Sequence, residues 1–523
     1  MLRTDLIRTI PELLDHHAQE RPDAIAFVDD RRALTYGELR DTTARLAGHL
    51  QDLGLGVGDR ALIYTDNRVE TAESYLAIPR AGGIAVCVNP TAAPAEVAHI
   101  LDDSGSRIVI TDTAHLETVR ALVAERPGLA VVLVGEAEAG GALRYADLLA
   151  AAALAPRDCL ALDDTAWMLY TSGTTGRPKG VYLTQRGCLW VVAASFAPIL
   201  GLGPDDVVLS PLPLFHSYAL VLCVLGVAAV GASERILPRF SAQEVLRRFR
   251  EPGPEGPATV FPGVPTMFQY LLDRAGEDGL GAPSLRICMS AGAIMPAALN
   301  EGFEKAFGVP LLDGYGITET STMVTMNWPI GTRVMGSCGI PLPGLTVRLV
   351  DPTTRRDVLP GEEGELWVQG PGVTKGYHNL PEATAAMLVD GWYRTGDLGR
   401  RDEHGFLRIS GRTKELIIRG GENIYPAEVE DALLAADGVA DAAVVGAPHQ
   451  ALGEVPVAFV VPREPGRLDH EKVLAGCRER LAYFKVPAEL VEIDVIPRTG
   501  SGKILRYRLQ QRLAAAARCG RRS

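Results

Sequence analysis

Short runs rich in β-branched residues alternate with amphipathic stretches through more than half of this chain, and that alternation narrows the fold more than any other feature. "RALIYT" (60–65), "RIVITD" (107–112), "VVLVGE" (131–136), "VVLSPL" (207–212) and "RICMSAG" (286–292) read as buried strands. Between them, "ELRDTTARLAGHLQDLG" (38–54) and "SAQEVLRRFRE" (241–251) place apolar residues at helical spacing. Strands separated by helices build parallel sheets covered by helices, an α/β fold. The 523 residues exceed what one hydrophobic core organises, so at least two domains are expected.

The texture changes between about Gly331 and Ser410. Short strands such as "TVRLVD", "GELWVQ" and "FLRIS" are separated by Gly/Pro turns, the pattern of a small β-rich subdomain. Beyond Arg412, a helix opens behind Pro426, a favoured first-turn residue. "ADAAVVGAP" and "EVPVAFVVP" pair as a hairpin, and another helix begins near His470. The expected architecture is a large N-terminal domain of parallel α/β sheets with a β-rich subdomain, followed by a small α+β C-terminal domain.

A net charge of −12 argues against a general nucleic-acid surface, which needs clustered Lys and Arg. A polyphosphate ligand would have to be met by local positive groups or a metal. The eight cysteines show no C-x-x-C spacing, so neither a zinc site nor a disulfide framework is legible, and free thiols in a reducing cytoplasm are expected. Charges interrupt the apolar residues of the N-terminus, so no signal-peptide core is read there. The longest apolar run, "ALVLCVLGVAAVGA" (219–232), is too short to span a bilayer and reads as a buried helix. A cytoplasmic protein without a transmembrane segment follows as the expectation.

"YTSGTTGRPKG" (170–180) gathers hydroxyls and glycines around one lysine. Hydroxyls and bare backbone N–H groups are donors, glycine lets the backbone approach a bulky anion, and lysine adds a point charge. The chemistry is that of phosphate, but Lys179 follows Pro178 and precedes Gly180, which is not a Walker A loop. A phosphate loop of another kind and a Gly-rich turn both remain open on this stretch alone.

Further segments follow in order: "PLFHSYAL" (213–220), "SAGAIMP" (290–296), "DGYGITET" (313–320), "GWYRTGDLG" (391–399), "GRTKELIIRGGENIYP" (411–426) and "PRTGSGKILR" (497–506). With the opening loop, this set resembles the signature of the adenylate-forming superfamily over nearly the whole chain. The superfamily includes acyl-CoA synthetases, nonribosomal-peptide adenylation domains and firefly luciferases. The wording of "GGENIYPAEVE" is most similar to CoA ligases for fatty, aryl or related acids. The resemblance implies an N-terminal ATP- and acyl-binding domain over 1–412 and a mobile C-terminal domain over 413–523, with a hinge near Lys414. It implies the cofactors ATP, Mg²⁺ and coenzyme A.

Roles follow from the same resemblance. Thr171, Ser172, Gly173, Thr174 and Thr175 would wrap the β- and γ-phosphates, with Lys179 nearby. Tyr315 would lie against adenine, beside Asp313 and Gly316. Thr318 would touch the α-phosphate, and Glu319, with Thr171, would hold Mg²⁺. Asp397 and Arg412 would take the ribose. Lys503, which by itself reads as a solvated loop lysine, would be the adenylation lysine. His216 would border the carboxylate, with Ser217, Ser290, Ala291, Gly292, Ala293, Gly316 and Thr320 lining the acyl and adenine sites. Lys414, Gly420, Gly421 and Asn423 would serve the CoA-facing arrangement. His216 also reads as a satisfied core histidine.

The implied reaction joins a carboxylate to the α-phosphate of ATP, releases pyrophosphate, and passes the acyl group to the CoA thiol. The alternatives are a ligase that loads a carrier protein, an enzyme specialised for one half-reaction, a luciferase-like oxygenase, and a nucleotide-binding protein without turnover. Tyr182 and Gln185 stand where relatives often carry methionine and histidine. No Arg or Lys occurs in 215–218, 263–266, 290–293 or 320–323, the segments expected to build the acyl pocket, so a mainly apolar monocarboxylate is expected.

Overall fold

The computed structural model describes residues 2–152, 154–171, 178–276, 279–420, 422–498 and 502–519. The chain packs as two compact units, the first comprising 1–346 and 368–393 and the second 347–367 and 394–523. Packing therefore divides the β-rich segment between the two units, 347–367 and 394–410 going with the C-terminal part, whereas the sequence motifs divide the chain at 412/413.

Two sheets organise the first unit. In the larger, Leu311–Tyr315, Ile287–Ser290, Val260–Gly263, Val207–Ser210, Ser233–Ile236 and Ile25–Val28 lie side by side and parallel. Antiparallel strands finish both edges, Ala33–Thr35 at one and Thr325–Met326 with Ile340–Pro341 at the other. In the second sheet, Leu143–Arg144, Ala130–Val134, Ile108–Asp112, Arg60–Tyr64, Ile84–Cys87 and Thr165–Thr171 run parallel, and Lys179–Thr184 turns back antiparallel. The strands expected at 60, 107, 131, 207 and 286 are all present. So are the helices Tyr36–Asp52 and Ala242–Arg250.

Most of the parallel strands feed a helix that covers the sheet, which is why these strands are apolar on both faces. The helix Val69–Arg80 is buried at every position except Glu70. Its polar groups are met inside: Glu73 pairs with Arg32 at 2.9 Å and accepts the Tyr145 hydroxyl at 2.7 Å, and Arg80 pairs with Asp158 at 3.0 Å. A buried charge requires such partners.

The apolar run at 219–232 is buried and helical, as expected, but not uniformly α-helical. Ser217–Ala219 is followed by π-helical turns over Leu220–Gly226 and an α-helical end over Val227–Val230. Val192–Phe196, on the preceding helix, is also π-helical. Such widened turns occur in short pieces, often near functional sites. Among the described residues, no helix is long and apolar enough to cross a membrane.

In the second unit, the hairpin Val439–His449/Gly453–Pro462 forms in antiparallel register with one shift between Val439 and Asp441, and Glu489–Glu492 adds to it in parallel. The helices Pro426–Leu434 and His470–Arg480 pack on this sheet through Val429, Leu433, Val473 and Cys477. That is the α+β arrangement expected of the tail.

Candidate active site

Ligands of parallel α/β sheets bind beyond the carboxyl ends of the strands, and the sequence motifs gather there. "FHSYA" follows Val207–Ser210, "AGA" follows Ile287–Ser290, and "GITET" follows Leu311–Tyr315. His216 caps the helix that begins at Ser217. Its Nδ1 accepts the Tyr218 N–H at 3.3 Å, which puts the proton of the neutral ring on Nε2. The Tyr218 hydroxyl donates to the Met289 carbonyl at 3.1 Å, tying this segment to the neighbouring motif.

The turn after Tyr315 is shaped by its backbone. Thr318–Thr320 is a 3₁₀ turn, and Ser321 (φ 52°) and Thr322 (φ 89°) are left-handed, which non-glycine residues rarely adopt. Thr320 N–H and Thr322 N–H both donate to the Ile317 carbonyl at 3.1 Å. The Thr320 hydroxyl donates to the same carbonyl at 3.0 Å. That hydroxyl is therefore committed to closing the turn, a role its sequence position did not disclose. The turn presents Thr318 beside Ser217, with their hydroxyl oxygens 3.3 Å apart.

Ser290 and Asp313 are register partners on adjacent strands and share one face. Both are buried, and neither Ser290 Oγ nor Asp313 Oδ1 has a hydrogen-bond partner among the described residues. Burial pushes the Asp313 carboxyl well above the ordinary aspartate range. Ala291 is buried, and Gly292 takes φ 89°. Ala293 is half-buried.

Thr171 ends its strand and Lys179 begins the next, directly opposite in register. The described strands Thr165–Thr171 and Lys179–Thr184 pair antiparallel. Ser172, Gly173, Thr174 and Thr175 lie outside the described residues. The Lys179 ammonium stands 5.2 Å from the centre of the Tyr377 ring. The Tyr377 hydroxyl donates to Glu319 Oε1 at 2.9 Å and lies 3.0 Å from the Tyr393 hydroxyl. Lys179 and Glu319, 140 positions apart in sequence, are therefore joined through one side chain. Sequence reasoning missed Tyr377 and Tyr393. The signal for the first was "KGYHN" (375–379), a stretch that lies outside the recognised motifs and meets Lys179 and Glu319 only in the fold.

Two residues flagged as departures have structural partners. Gln185 is buried, and its Oε1 accepts Ile10 N–H at 3.0 Å while its Nε2 donates to Ala161 O at 3.3 Å. The Tyr182 hydroxyl bonds His378 Nδ1, and His378 Nε2 donates to Asp103 O at 2.8 Å.

The second unit holds the remaining predicted residues. Asp397 and Arg412 face each other across antiparallel strands, with Arg412 Nε 2.8 Å from Asp397 Oδ1. Asp397 is 3% exposed. Thr413 donates through both N–H and hydroxyl to the Gly396 carbonyl, at 2.9 and 3.0 Å, which fixes the chain entering Lys414. Lys414 itself is exposed. Gly420 is exposed at φ 60°, and its N–H donates to Leu452 O at 2.7 Å. Gly421 and the Asn423 side chain lie outside the described residues. Lys503 sits in a turn between Gly502 and Ile504, half-buried. Arg498 braces that turn, donating to Gly502 O at 3.0 Å and pairing with Asp441 at 2.7 Å.

Comparison with known proteins adds independent findings. The family model described as AMP-binding enzyme matches residues 14–378, and that of the AMP-binding enzyme C-terminal domain matches 428–503. Feruloyl-CoA synthase of Amycolatopsis sp is 38% identical over 497 residues, covering 95% of this chain and 97% of that protein. Naringenin synthase of Pestalotiopsis fici is 39% identical over 510 residues, 95% of this chain, but the chain spans only 18% of that protein's length. Among solved structures, the anthranilate CoA ligase AuaEII in complex with anthranoyl-AMP superposes with a TM-score of 0.90 at 27% identity, covering 99% of this chain and 100% of that one.

Proposed function

The chain belongs to the AMP-binding enzyme family, and from that premise we propose that it is an ATP-dependent acid–CoA ligase. A carboxylate is a poor electrophile. Attack of its oxygen on the α-phosphorus of ATP expels pyrophosphate and leaves an acyl-AMP anhydride, from which the CoA thiol displaces AMP. The observation that carries this reading is the 3.3 Å approach of Ser217 and Thr318. It sets the segment assigned to the carboxylate against the residue assigned to the α-phosphate, where the first bond must form.

His216 borders the acid, and Tyr315 and Gly316 flank the adenine beside Asp313. Lys179 opposes the phosphate charge, as preorganised positive groups must where two anions react. Thr171 and Glu319 are oxygen donors of the kind a hard cation takes, and Mg²⁺ held by them would offset triphosphate charge. Asp397 and Arg412 bind the ribose, and Lys503 approaches the phosphate during adenylation. Between the two steps the domain 413–523 turns about Lys414, withdrawing Lys503 and bringing Gly420, Gly421 and Asn423 to the pantetheine. Such alternation shields the anhydride from water and then admits the thiol.

The acid is a mainly apolar monocarboxylate, because the pocket segments carry no Arg or Lys to pair with a second charge. The likeness to a feruloyl-CoA synthase supports an aryl acid within that class. A carrier-protein thiol is the alternative acceptor. The described cysteines are all free, which supports a reducing, cytoplasmic setting.

The test incubates the protein with ATP, Mg²⁺, CoA and a set of aliphatic and aryl acids, following acyl-AMP and acyl-CoA separately by mass spectrometry. Acyl-CoA is expected. Acyl-AMP alone would move the acceptor to a carrier protein, and neither product from any acid would contradict ligase activity.

A further inference from the structure

Lys179 and Glu319 have to act on one triphosphate, yet they arrive from separate segments of the chain. Tyr377 touches both. We infer that Tyr377 is a positioning residue for the adenylation step. Its hydroxyl fixes the Glu319 carboxylate, its ring seats the Lys179 ammonium, and Tyr393 completes the chain of donors. This rests on the reading of Glu319 as a cation ligand.

The direction of the chain follows from counting protons. A phenol has one O–H, and an ionised carboxylate only accepts. Tyr377 gives its proton to Glu319 Oε1 at 2.9 Å, so the 3.0 Å contact with Tyr393 must be donated by Tyr393. Two hydroxyls in series polarise each other and strengthen the terminal bond. A cation within about 6 Å of an aromatic face is attracted to it, and Lys179 at 5.2 Å falls inside that range. The positive charge over the ring also draws electron density from the phenol and makes it a better donor to Glu319. Only Oε1 of Glu319 is engaged among the described residues, which leaves Oε2 for a ligand.

Tyr377 is itself rigidly held. Its N–H donates to Thr384 Oγ1 at 3.0 Å, it bridges to Val181, and the next residue, His378, donates its N–H to Gly180 O at 2.8 Å. The Glu319 carbonyl accepts Thr374 N–H at 2.8 Å, so the same segment anchors the backbone of the residue whose side chain it aims. Outer groups that orient a metal-binding side chain are worth roughly 10–100-fold in metal affinity when removed.

The experiment compares the unaltered protein with Tyr377→Phe, Tyr393→Phe and Glu319→Gln. With a non-hydrolysable ATP analogue present, Mg²⁺ is titrated and the melting temperature followed. In parallel, acid-dependent ATP–pyrophosphate exchange is measured across the same Mg²⁺ range. Tyr377→Phe keeps the ring over Lys179 and removes only the hydroxyl. Its Mg²⁺ midpoint should rise about 10-fold in both assays, with the exchange rate recovering as Mg²⁺ is raised. Tyr393→Phe should shift the midpoint in the same direction by less, and supplies the answer if Tyr377→Phe fails to fold. A shift for Glu319→Gln with none for either phenylalanine variant would overturn the inference while sparing Glu319. No shift for Glu319→Gln would overturn the cation-ligand reading and the inference with it.

Discussion

A Cβ placed on Gly316 would lie 1.2 Å from the carbonyl oxygen of Thr322, because the chain folds back on itself within the turn that carries Thr318 and Glu319. Backbone cannot step aside as a flexible side chain does. Gly316→Ala should therefore reshape the turn, and ATP–pyrophosphate exchange should fall by at least about 100-fold, a scale that small misplacements of reacting groups reach. Gly314→Ala meets the Met323 methyl, a flexible side-chain end, at 2.4 Å and the Thr325 carbonyl oxygen only at 3.0 Å, and should cost distinctly less. Equal loss in the two variants, measured side by side, would contradict this explanation.

Asp397 and Arg412 form a charge-assisted pair at 2.8 Å with Asp397 buried. If the pair takes the ribose, Asp397→Ala loses hydrogen bonds to a charged acceptor worth roughly 1.5–3 kcal/mol. The KM for ATP should rise about 10- to 100-fold, with the KM for the acid little altered. Initial-rate kinetics with each substrate varied decides it, and a rise confined to the acid would contradict the assignment.

Asn67 ties three backbone segments together: its Nδ2 donates to Leu212 O at 2.8 Å and Leu237 O at 3.2 Å, and its Oδ1 accepts Leu214 N–H at 2.9 Å. Leu212 and Leu214 lead directly into His216. Asn67→Leu leaves these buried groups unpaired, and unpaired buried groups cost about 1–3 kcal/mol each. The melting temperature should fall, and the KM for the acid should rise more than that for ATP.

Glu234 lies fully buried in the larger sheet, with both carboxylate oxygens unpartnered among the described residues. Burial pushes its carboxyl from 4.5 to about 8. The nearby Cys223 thiol is itself raised well above its usual range, by burial and then by Glu234, so it stays neutral in that window. Between pH 4.5 and about 8 the native state keeps a proton that the unfolded chain has lost. Stability should therefore decline as pH rises through this window and level off above it. Glu234→Leu should remove the decline, so its gain in denaturant midpoint widens from pH 5 to pH 8. A gain that is constant with pH would contradict the shift.

The strands were legible because each is a continuous apolar run, and the tail because Pro426 and the paired runs around Gly446 and Val457 mark a helix and a hairpin. The π-helical turns at Leu220–Gly226 were not, since their composition is that of any buried helix and the widening is set by packing. Glu319 and Lys179 were recognised by charge within a motif, whereas Tyr377, which joins them, is visible only once distant segments meet. Gln185 shows the opposite limit. As a substitution in a motif it drew a functional question, and its buried amide proves to pin Ile10 and Ala161.

The central claim is that one chain performs two chemically separate steps and that Lys503 serves the first. The most direct measurement assays Lys503→Ala for acid-dependent ATP–pyrophosphate exchange and, separately, for thioester formation from synthetic acyl-AMP and CoA. The expected result is loss of exchange by orders of magnitude with thioester formation within a few-fold of the unaltered protein, as befits a charge stabilising only the adenylation transition state. Equal loss of both steps, or retention of exchange, would contradict it.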